Sequence, residues 1–193
     1  MPPKAKFTKE EIVSAALKIT RASGINAISA RAIGAALNSS ARPIFTVFRN
    51  MEEVQREVID AAKRLYNEYV RQGLEQKPAF KHVGMQYIHF AVNEPKLFQL
   101  LFMSEQKEIP NLSEVLSLID QNYQNIYLSI MEEYGVDERT AERLYRHLWI
   151  YTHGIASLCA TKVCAFDESE MNDMLTEVFV GLLQREKQEK EHD

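Results

Sequence analysis

The sequence predicts an all-α protein of about nine helices, in which a small helical domain precedes a larger one. Apolar residues recur at helical spacing along most of the 193 residues, and no stretch shows the apolar-polar alternation that is typical of strands. Two capping boxes, Thr8-x-x-Glu11 and Asp167-x-x-Glu170, mark the starts of two of these helices. The composition, with 46% hydrophobic residues, also suits a globular chain.

The first fifty residues predict three short helices. The first capping box opens a helix over 9–23, and Ser29 is placed to cap a second helix. Asn38 then falls where the chain must turn through the left-handed region, which asparagine tolerates. One of the next two serines is placed to cap a third helix. Because a tight turn joins the last two helices, residues 29–48 are predicted to form a helix-turn-helix.

Longer helices are predicted beyond residue 50. Asp137 is placed to cap one of them, while Gly73 and Gly135 are placed to end two others. The charged tail REKQEKEHD (185–193) is expected to fray. The predicted helices run over about 51–72, 79–93, 95–103, 112–134, 138–162 and 168–186.

Charge is divided unevenly along the chain. Residues 1–50 carry eight Lys or Arg and two Glu, a net charge of +6, whereas the remainder carries −10, which gives the overall charge of −4. A basic segment on an acidic body is typical of a protein whose one end binds an anionic partner.

Several classes of protein are disfavoured by the sequence. No apolar run approaches the ~20 residues that span a bilayer, and the N-terminus lacks the apolar segment of a secretory signal. Cys159 and Cys164 alone do not form a disulfide framework. We therefore expect a reduced cytoplasmic protein without a membrane partner.

Catalytic and metal-binding motifs are also missing from the sequence. His82 and His89 share one helical face, and His147, His153 and two cysteines follow later, but none of these has the spacing of a metal site. No glycine-rich phosphate loop or nucleophile elbow is present. We therefore expect no enzyme activity, no metal and no cofactor.

The segment SSARPIFTVFRN (39–50) carries residue types that bind DNA. Arg42 offers a fork of donors suited to guanine, and Thr46 could meet a thymine methyl group or a phosphate. The two serines at the start suit phosphate oxygens, and Arg49 could add non-specific charge. In the alternative interpretation, the segment only closes a core and leaves Arg42 in solvent.

Residues 8–55 resemble the N-terminal domain of the TetR family of transcriptional regulators without a gap. The run ISARAIGAALNSSARPIFTVFRNMEEV follows that family's pattern of Arg and Ile in helix two, a turn, a capped recognition helix and a closing Phe. In this resemblance Arg31 and Ile33 match the helix-two positions, and Ser40 matches the cap. Phe45 matches an aromatic residue that packs near the phosphate backbone.

The sequence departs from the family pattern at several positions. Asn38 stands where glycine is usual, and Pro43 replaces a common threonine. Proline is tolerated in a first helical turn because the amide it lacks would be unpaired there. If Ser40 is the cap, its hydroxyl must then bond to the amide of Arg42. These departures leave the operator sequence open. The candidate DNA-binding residues are Arg31, Ser39, Ser40, Arg42, Pro43, Phe45, Thr46 and Arg49.

Two later segments, YIHFAVNEPKLFQLLFM and LWIYTHGIASL, resemble a TetR subclass of C-terminal domains that is named for a Trp-His-Gly signature. Here that signature is Trp149, His153 and Gly154, and the resemblance covers roughly 75–185. It implies a domain that senses a ligand and dimerises, without fixing the effector.

An aromatic pocket for an unknown small-molecule effector is expected where the helices of this domain converge. In the alternative interpretation, these side chains form an ordinary core in which a backbone carbonyl or a tyrosine satisfies His153. The candidate pocket residues are Met85, Phe90, Phe98, Phe102, Trp149 and His153.

A homodimer is expected because one short recognition helix makes too few base contacts for useful specificity. Apolar stripes on the last two long helices could pair in an intermolecular four-helix bundle. Alternatively, both stripes close the core of a single chain. The candidate interface residues are Ile155, Leu158, Leu175, Val178 and Leu182.

Together these features predict a DNA-binding transcriptional regulator, with a DNA-binding domain over 6–66 and a regulatory and dimerisation domain over 67–187. We expect a repressor that a small-molecule effector releases from a palindromic double-stranded operator. The alternatives are a transcriptional activator and a helical adaptor without effector control. An adaptor does not need the net charge of +6 on residues 1–50. The sequence does not separate an activator from a repressor.

Overall fold

The computed structural model describes residues 6–105, 111–112 and 122–191. These residues contain helices and no strand, which confirms the all-α prediction. The α-helices in the described part of the chain are α1 (Lys9–Ser23), α2 (Ala30–Ala36), α3 (Met51–Leu74), α4 (Ala79–Asn93), α5 (Pro95–Phe102), α6 (Tyr123–Tyr134), α7 (Glu138–Ala160) and α8 (Glu168–Glu191). Two short 3₁₀ helices cover Ile25–Ala27 and Arg42–Thr46. Of the predicted helix over 112–134, residues 113–121 lie outside the described residues, and residues 123–134 form α6.

The chain divides into two compact units. The first unit is Met1–Leu65 with Glu94–Ser104, and the second unit is Tyr66–Asn93 with Glu105–Asp193. The boundary between them falls within α3, and the first unit also includes α5. No helix in the described ranges has the length and apolar character needed to cross a bilayer. As functional domains, 6–66 and 67–187 remain a prediction.

Local hydrogen bonds in the first unit form as the sequence predicts. The Glu11 amide donates to Thr8 Oγ1 at 3.2 Å, and the Thr8 amide donates to Glu11 Oε2 at 2.8 Å. The Ala32 amide donates to Ser29 Oγ at 3.1 Å, so Ser29 caps α2. Asn38 has a φ of +51°, which confirms the predicted left-handed turn. These caps begin α1 and α2 at the predicted positions.

The first unit has a core to which α1 and the helix-turn-helix segment both contribute. Ile12 of α1, Ile33 of α2 and Ile44 of the second 3₁₀ helix are fully buried. Each such side chain stabilises the unit by about 1.5–3 kcal/mol relative to an exposed one. The other buried core residues are Val13, Ala15, Ala16, Ile28, Phe48, Val54 and Val58.

An ion pair joins α1 to the start of α5 within the first unit. Arg21 Nε donates to Glu94 Oε2 at 2.7 Å, and Arg21 Nη2 contacts Glu94 Oε1. The Glu94 side chain is only 7% exposed, whereas that of Arg21 is 50% exposed. Leu97 and Phe98, on the first turn of α5, are fully buried. The two contacts therefore neutralise a buried carboxylate at the point where α5 begins.

In the second unit, α4 is held closely at its N-terminal half. A Cβ on Gly73 of α3 would lie 2.7 Å from the Cα of Val83, so glycine allows these two backbones to approach. The Ala79 amide donates to Glu133 Oε2 at 2.9 Å, and Lys77 Nζ donates to Glu133 Oε1 at 2.7 Å. Burial alone would raise the pKa of Glu133, but these donors hold it below its ordinary value.

The last two helices begin at their predicted caps. The Thr140 amide donates to Asp137 Oδ1 at 2.8 Å at the start of α7. At the start of α8, the Glu170 amide donates to Asp167 Oδ1 and the Asp167 amide donates to Glu170 Oε2, each at 2.8 Å. Both caps satisfy amides that would otherwise be unpaired at a helix start.

The end of α8 is more ordered than predicted. The helix continues to Glu191, so the expectation that 185–193 frays was wrong for the residues up to 191. Arg143, near the start of α7, lies 3.0 Å from Glu186 and 3.4 Å from Glu189. Arg185 adds a contact to Glu189 at 2.8 Å. These ion pairs hold the charged end of α8 against α7 and show that the two helices are antiparallel.

The Arg21–Glu94 pair generates a stability prediction. Replacing Arg21 with Met keeps the apolar stem but leaves the Glu94 carboxylate buried without its partner, so the free energy of unfolding should fall by roughly 1–3 kcal/mol. The double variant Arg21→Met/Glu94→Gln should recover part of this loss, because no charge is then left buried. Denaturant unfolding of the single and double variants would measure both effects. Strictly additive losses would mean that the pair contributes nothing.

Candidate DNA-binding surface and apolar cavity

Backbone contacts close the turn that follows α2. A Cβ on Gly34 would lie 2.7 Å from the carbonyl oxygen of Ser40, so only glycine lets α2 approach the next segment this closely. The Ser39 amide donates to the Gly34 carbonyl at 2.8 Å. Lys6 Nζ donates to Ser39 Oγ at 2.9 Å, which brings a further positive charge to the turn.

The third helical segment differs from the prediction. It is a five-residue 3₁₀ helix, Arg42–Thr46, and its cap position is Ala41, which forms no side-chain hydrogen bond. The prediction that Ser40 caps this helix was therefore wrong. Pro43 does lie in the first turn, as expected. Pro43 does not itself prevent a helix, because the amide that it lacks would be unpaired in a first turn.

The start of α3 limits the length of this segment from the other side. The Glu53 amide donates to Asn50 Oδ1 at 2.9 Å, and the Arg49 amide donates to Glu53 Oε2 at 2.6 Å. These bonds cap α3 at Met51. Only a short stretch of chain therefore remains between the turn and α3, and it forms a single tight turn of helix.

The short helix still has a core side and a solvent side. Ile44 is fully buried, and Phe48 beyond its end is buried as well. Arg42, Phe45 and Thr46 are exposed, even though Phe45 is a large apolar residue. The segment therefore closes the core, as the alternative interpretation holds, and also presents the predicted DNA-binding side chains to solvent.

The remaining candidate residues extend the same basic face. Arg31 on α2 and Ser40 are exposed, whereas Ser39 and Pro43 are half-buried. The Arg49 side chain is 91% exposed, and its Nε lies 3.9 Å from the Glu53 carboxylate. Within the described residues, the guanidinium groups of Arg31 and Arg42 have no hydrogen-bond or ion-pair partner. Two unpaired guanidinium groups are therefore available to phosphates or base edges.

The second unit contains an apolar cavity of about 320 Å³. Helices α4, α6, α7 and α8 contribute to its lining, with Val83, Leu148 and Leu175 among the aliphatic residues. Lys81 is the only charged side chain among the described lining residues. A small, mostly apolar cavity with few polar groups is typical of a site for a small molecule. The aromatic residues of the lining are Tyr66, Phe80, Tyr87, Tyr134, Tyr145, Trp149 and Phe179.

The predicted pocket residues do not converge on this cavity. Of the six, only Trp149 belongs to the described lining. Phe90 is fully buried among other rings, and Met85 lines a separate, more polar cavity. Phe98 and Phe102 lie in the first unit, where their ring centroids are 5.0 Å apart. Five of the six therefore lie outside this lining, and the predicted effector site stays a prediction.

His153 lies beside the cavity lining and is satisfied by a tyrosine. Its Nδ1 lies 2.9 Å from the Tyr87 hydroxyl oxygen, and its ring stacks on Trp149 with the centroids 5.0 Å apart. Burial lowers the pKa of His153. This arrangement fits the alternative interpretation, in which a neighbouring tyrosine holds a core histidine.

The other histidines and the cysteines do not assemble into a metal site. In the part of the chain that the structure describes, no three His, Cys, Asp or Glu side chains could hold a metal ion together. His82 Nδ1 lies 2.9 Å from the Pro78 carbonyl oxygen, and His89 Nε2 lies 2.9 Å from Glu168 Oε2. Burial raises the pKa of the Cys159 thiol, which disfavours its reactive thiolate form.

Two of the five predicted interface residues are buried in the core of the second unit. Ile155 and Leu175 are buried, so they contribute to the core of a single chain, as the alternative interpretation holds. Val178 and Leu182 are half-buried, and Leu158 is 39% exposed.

A neighbouring face of α7 is more exposed than the predicted stripe. Ile150 is 52% exposed and lies two turns before Leu158, which is 39% exposed. Gly154 lies between them, is exposed, and has open space where a Cβ would point. We call these three residues the α7 stripe. Its apolar ends and its central glycine would allow another helix to approach closely.

Comparison with known proteins identifies the second half of the chain. A family model described as the tetracyclin repressor-like C-terminal domain matches residues 80–183, which is more than half of the chain. No curated protein matches the sequence.

The lowered pKa of His153 generates a prediction about acid stability. The unfolded chain takes up a proton at about pH 6.5, whereas folded His153 takes it up only at lower pH, so stability should fall as the pH drops from about 7 to 5. The His153→Gln variant should lose less stability over this range than the unmutated protein. Melting temperatures across the pH range would measure this, with His147→Gln, an exposed position, as the matched control. Parallel pH curves for His153→Gln and the unmutated protein would contradict the prediction.

Proposed function

We propose, from the fact that this chain belongs to the TetR family of transcriptional regulators, that it binds a palindromic double-stranded operator as a homodimer. The family match covers residues 80–183, so the DNA-binding role of the first fifty residues is inferred from their own structure. The Trp-His-Gly subclass stays a prediction.

The solvent side of the segment from Arg42 to Arg49 carries this proposal. Ile44 and Phe48 fix the segment in the core, so Arg42 and Thr46 are held outward on a rigid support. Arg42 has the fork of donors that pairs with the O6 and N7 atoms of guanine. We therefore assign base recognition to Arg42. The Thr46 hydroxyl already donates to the Pro43 carbonyl at 2.6 Å, so we assign to Thr46 a contact with a thymine methyl group.

Residues around that segment are suited to phosphate contacts. Arg31 and Arg49 are exposed guanidinium groups, and Lys6 reaches the turn through its bond to Ser39. Positive charge around the residues that contact base edges supplies most of the salt-dependent affinity for DNA but little sequence preference. Phe45 is an exposed ring beside them and is suited to pack on the sugar-phosphate backbone.

The homodimer is needed because a segment this short reads only a few base pairs. Two copies related by a two-fold axis would read two inverted half-sites. We place the interface on α7 and α8, with the α7 stripe and the half-buried Val178 and Leu182 as its apolar residues. Ile155 and Leu175 then support the interface from inside each subunit.

For regulation, we propose that the cavity binds a small-molecule effector that releases the protein from its operator, so that the protein acts as a repressor. The cavity lies in the unit that carries the family match, and its aromatic lining would bury an apolar ligand. Because a regulator acts where the DNA is, we propose a cytoplasmic location. We infer no enzyme activity, since the family consists of regulators.

Single substitutions should separate base recognition from phosphate contact. Arg42→Ala should cost about 1–3 kcal/mol in operator binding and relax the preference at one base pair in each half-site. Arg49→Ala should weaken binding to all sequences alike. It should also reduce by about one the slope of the logarithm of the binding constant against the logarithm of the salt concentration, which we call the salt slope. Titrations of duplexes obtained by selection from a random pool, at several salt concentrations, would measure both effects.

The control for these titrations is Arg139→Ala, which removes the same charge from an exposed position in the second unit. It should change neither the base preference nor the salt slope. Equal losses for Arg42→Ala and Arg139→Ala would contradict the assignment of Arg42 to base recognition.

The proposed interface predicts that a charge in the α7 stripe splits the dimer. Leu158→Glu should convert a particle of twice 22.2 kDa into one of 22.2 kDa at micromolar concentration, because the charge would be desolvated in the interface. Light scattering would measure the mass. Leu128→Glu, at an exposed leucine on α6, makes the same chemical change elsewhere and should leave the mass unchanged. If the unmutated protein itself has a mass of 22.2 kDa, the homodimer is wrong.

A further inference from the structure

The polar groups of the cavity are few and differ from one another. Among its described lining residues, Lys81 of α4 is the only charged side chain, and no carboxylate is present. Glu133, which adjoins the lining residue Tyr134 in sequence, is already bonded to Lys77 and to the Ala79 amide. Within the described residues, Lys81 has no ion-pair or hydrogen-bond partner. Lys81 also lines the neighbouring, more polar cavity, so it lies between the two cavities. A single lysine beside an otherwise uncharged apolar cavity favours a ligand with one negative charge.

Thr152 is a second polar residue of the lining. Thr152 of α7 is only 5% exposed, and its hydroxyl has no hydrogen-bond partner in the described residues. Its Oγ1 lies 3.8 Å from the position that a Cβ on Gly84 would take, and both residues line the cavity. By contrast, the Thr176 hydroxyl donates to the Asn172 carbonyl at 2.7 Å. The Thr152 hydroxyl can therefore donate a hydrogen bond to a ligand oxygen in the cavity.

We infer that the cavity binds a hydrophobic monocarboxylate, with its apolar body among the aromatic rings and its carboxylate at Lys81. This inference rests on the proposed function, in which the cavity is the effector site. The volume of about 320 Å³ lies at the small end of ligand sites, so the body is one ring or a short chain. A phosphate ester fits less well, because it carries more charge and usually meets an arginine fork or several donors.

The single tryptophan of the sequence makes the site directly observable. Trp149 lines the cavity, so its fluorescence reports on a ligand that enters. The probes are 4-phenylbutyrate and hexanoate, each compared with its own primary amide. The amide keeps the apolar body and can still bond to Thr152, but it lacks the charge that Lys81 would recognise.

The experiment titrates the full-length protein with each probe and follows Trp149 fluorescence, with calorimetry in parallel. At least one of the carboxylates should bind about tenfold more tightly than its amide. Lys81→Met keeps the apolar stem of the side chain and should lower the affinity for that carboxylate to the level of the amide, while the affinity for the amide stays the same. Lys96→Met removes the same charge from an exposed position in the first unit and should change neither affinity. Gly84→Leu should abolish binding of both probes by filling the cavity.

Three results would overturn the inference. They are an amide that binds as tightly as its carboxylate, a Lys81→Met variant that keeps full affinity for the carboxylate, and no binding of either carboxylate at concentrations up to about 1 mM. Operator affinity is measured separately with and without the carboxylate. If the carboxylate binds through Lys81 but leaves operator affinity unchanged, the ligand class is supported and the proposed effector control fails.

Discussion

The ion pair between Arg21 and Glu94 is the constraint on which the organisation of this chain depends. The chain leaves the first unit within α3, forms α4 in the second unit and returns to the first unit at Glu94. Because the Glu94 carboxylate is buried, it requires a charged partner, and Arg21 of α1 supplies one through two contacts. The apolar packing of Leu97 and Phe98 alone would leave the direction in which α5 enters the unit less well determined.

This anchor bears on the proposed effector control. Helix α4 carries Lys81 and Gly84 in the cavity lining and ends at Asn93, the residue before Glu94. A ligand that displaces α4 would move the residue next to Glu94 in the sequence. Such a ligand changes the affinity for DNA only if it binds the two arrangements of α4 unequally.

The parts of the fold that depend on neighbouring residues could be predicted from the sequence, and the parts that depend on tertiary packing could not. The caps of α1, α2, α7 and α8 were predicted because each joins residues three apart. The 3₁₀ helix was missed because its short length depends on the nearby start of α3. The cavity lining was missed because it depends on which helices meet. The available signal was the group of aromatic residues on α4 and α7 that lies at helical spacing with Lys81 and Thr152.

The central claim is that the outward side of residues 42–49 reads DNA as one half of a symmetric pair. Selection of bound duplexes from a random pool by the purified full-length protein, followed by sequencing, tests it most directly. The account predicts enrichment of two inverted half-sites, each with a guanine whose preference is lost in the Arg42→Ala variant. Recovery of no enriched sequence at low salt, or of a single half-site without symmetry, would contradict it.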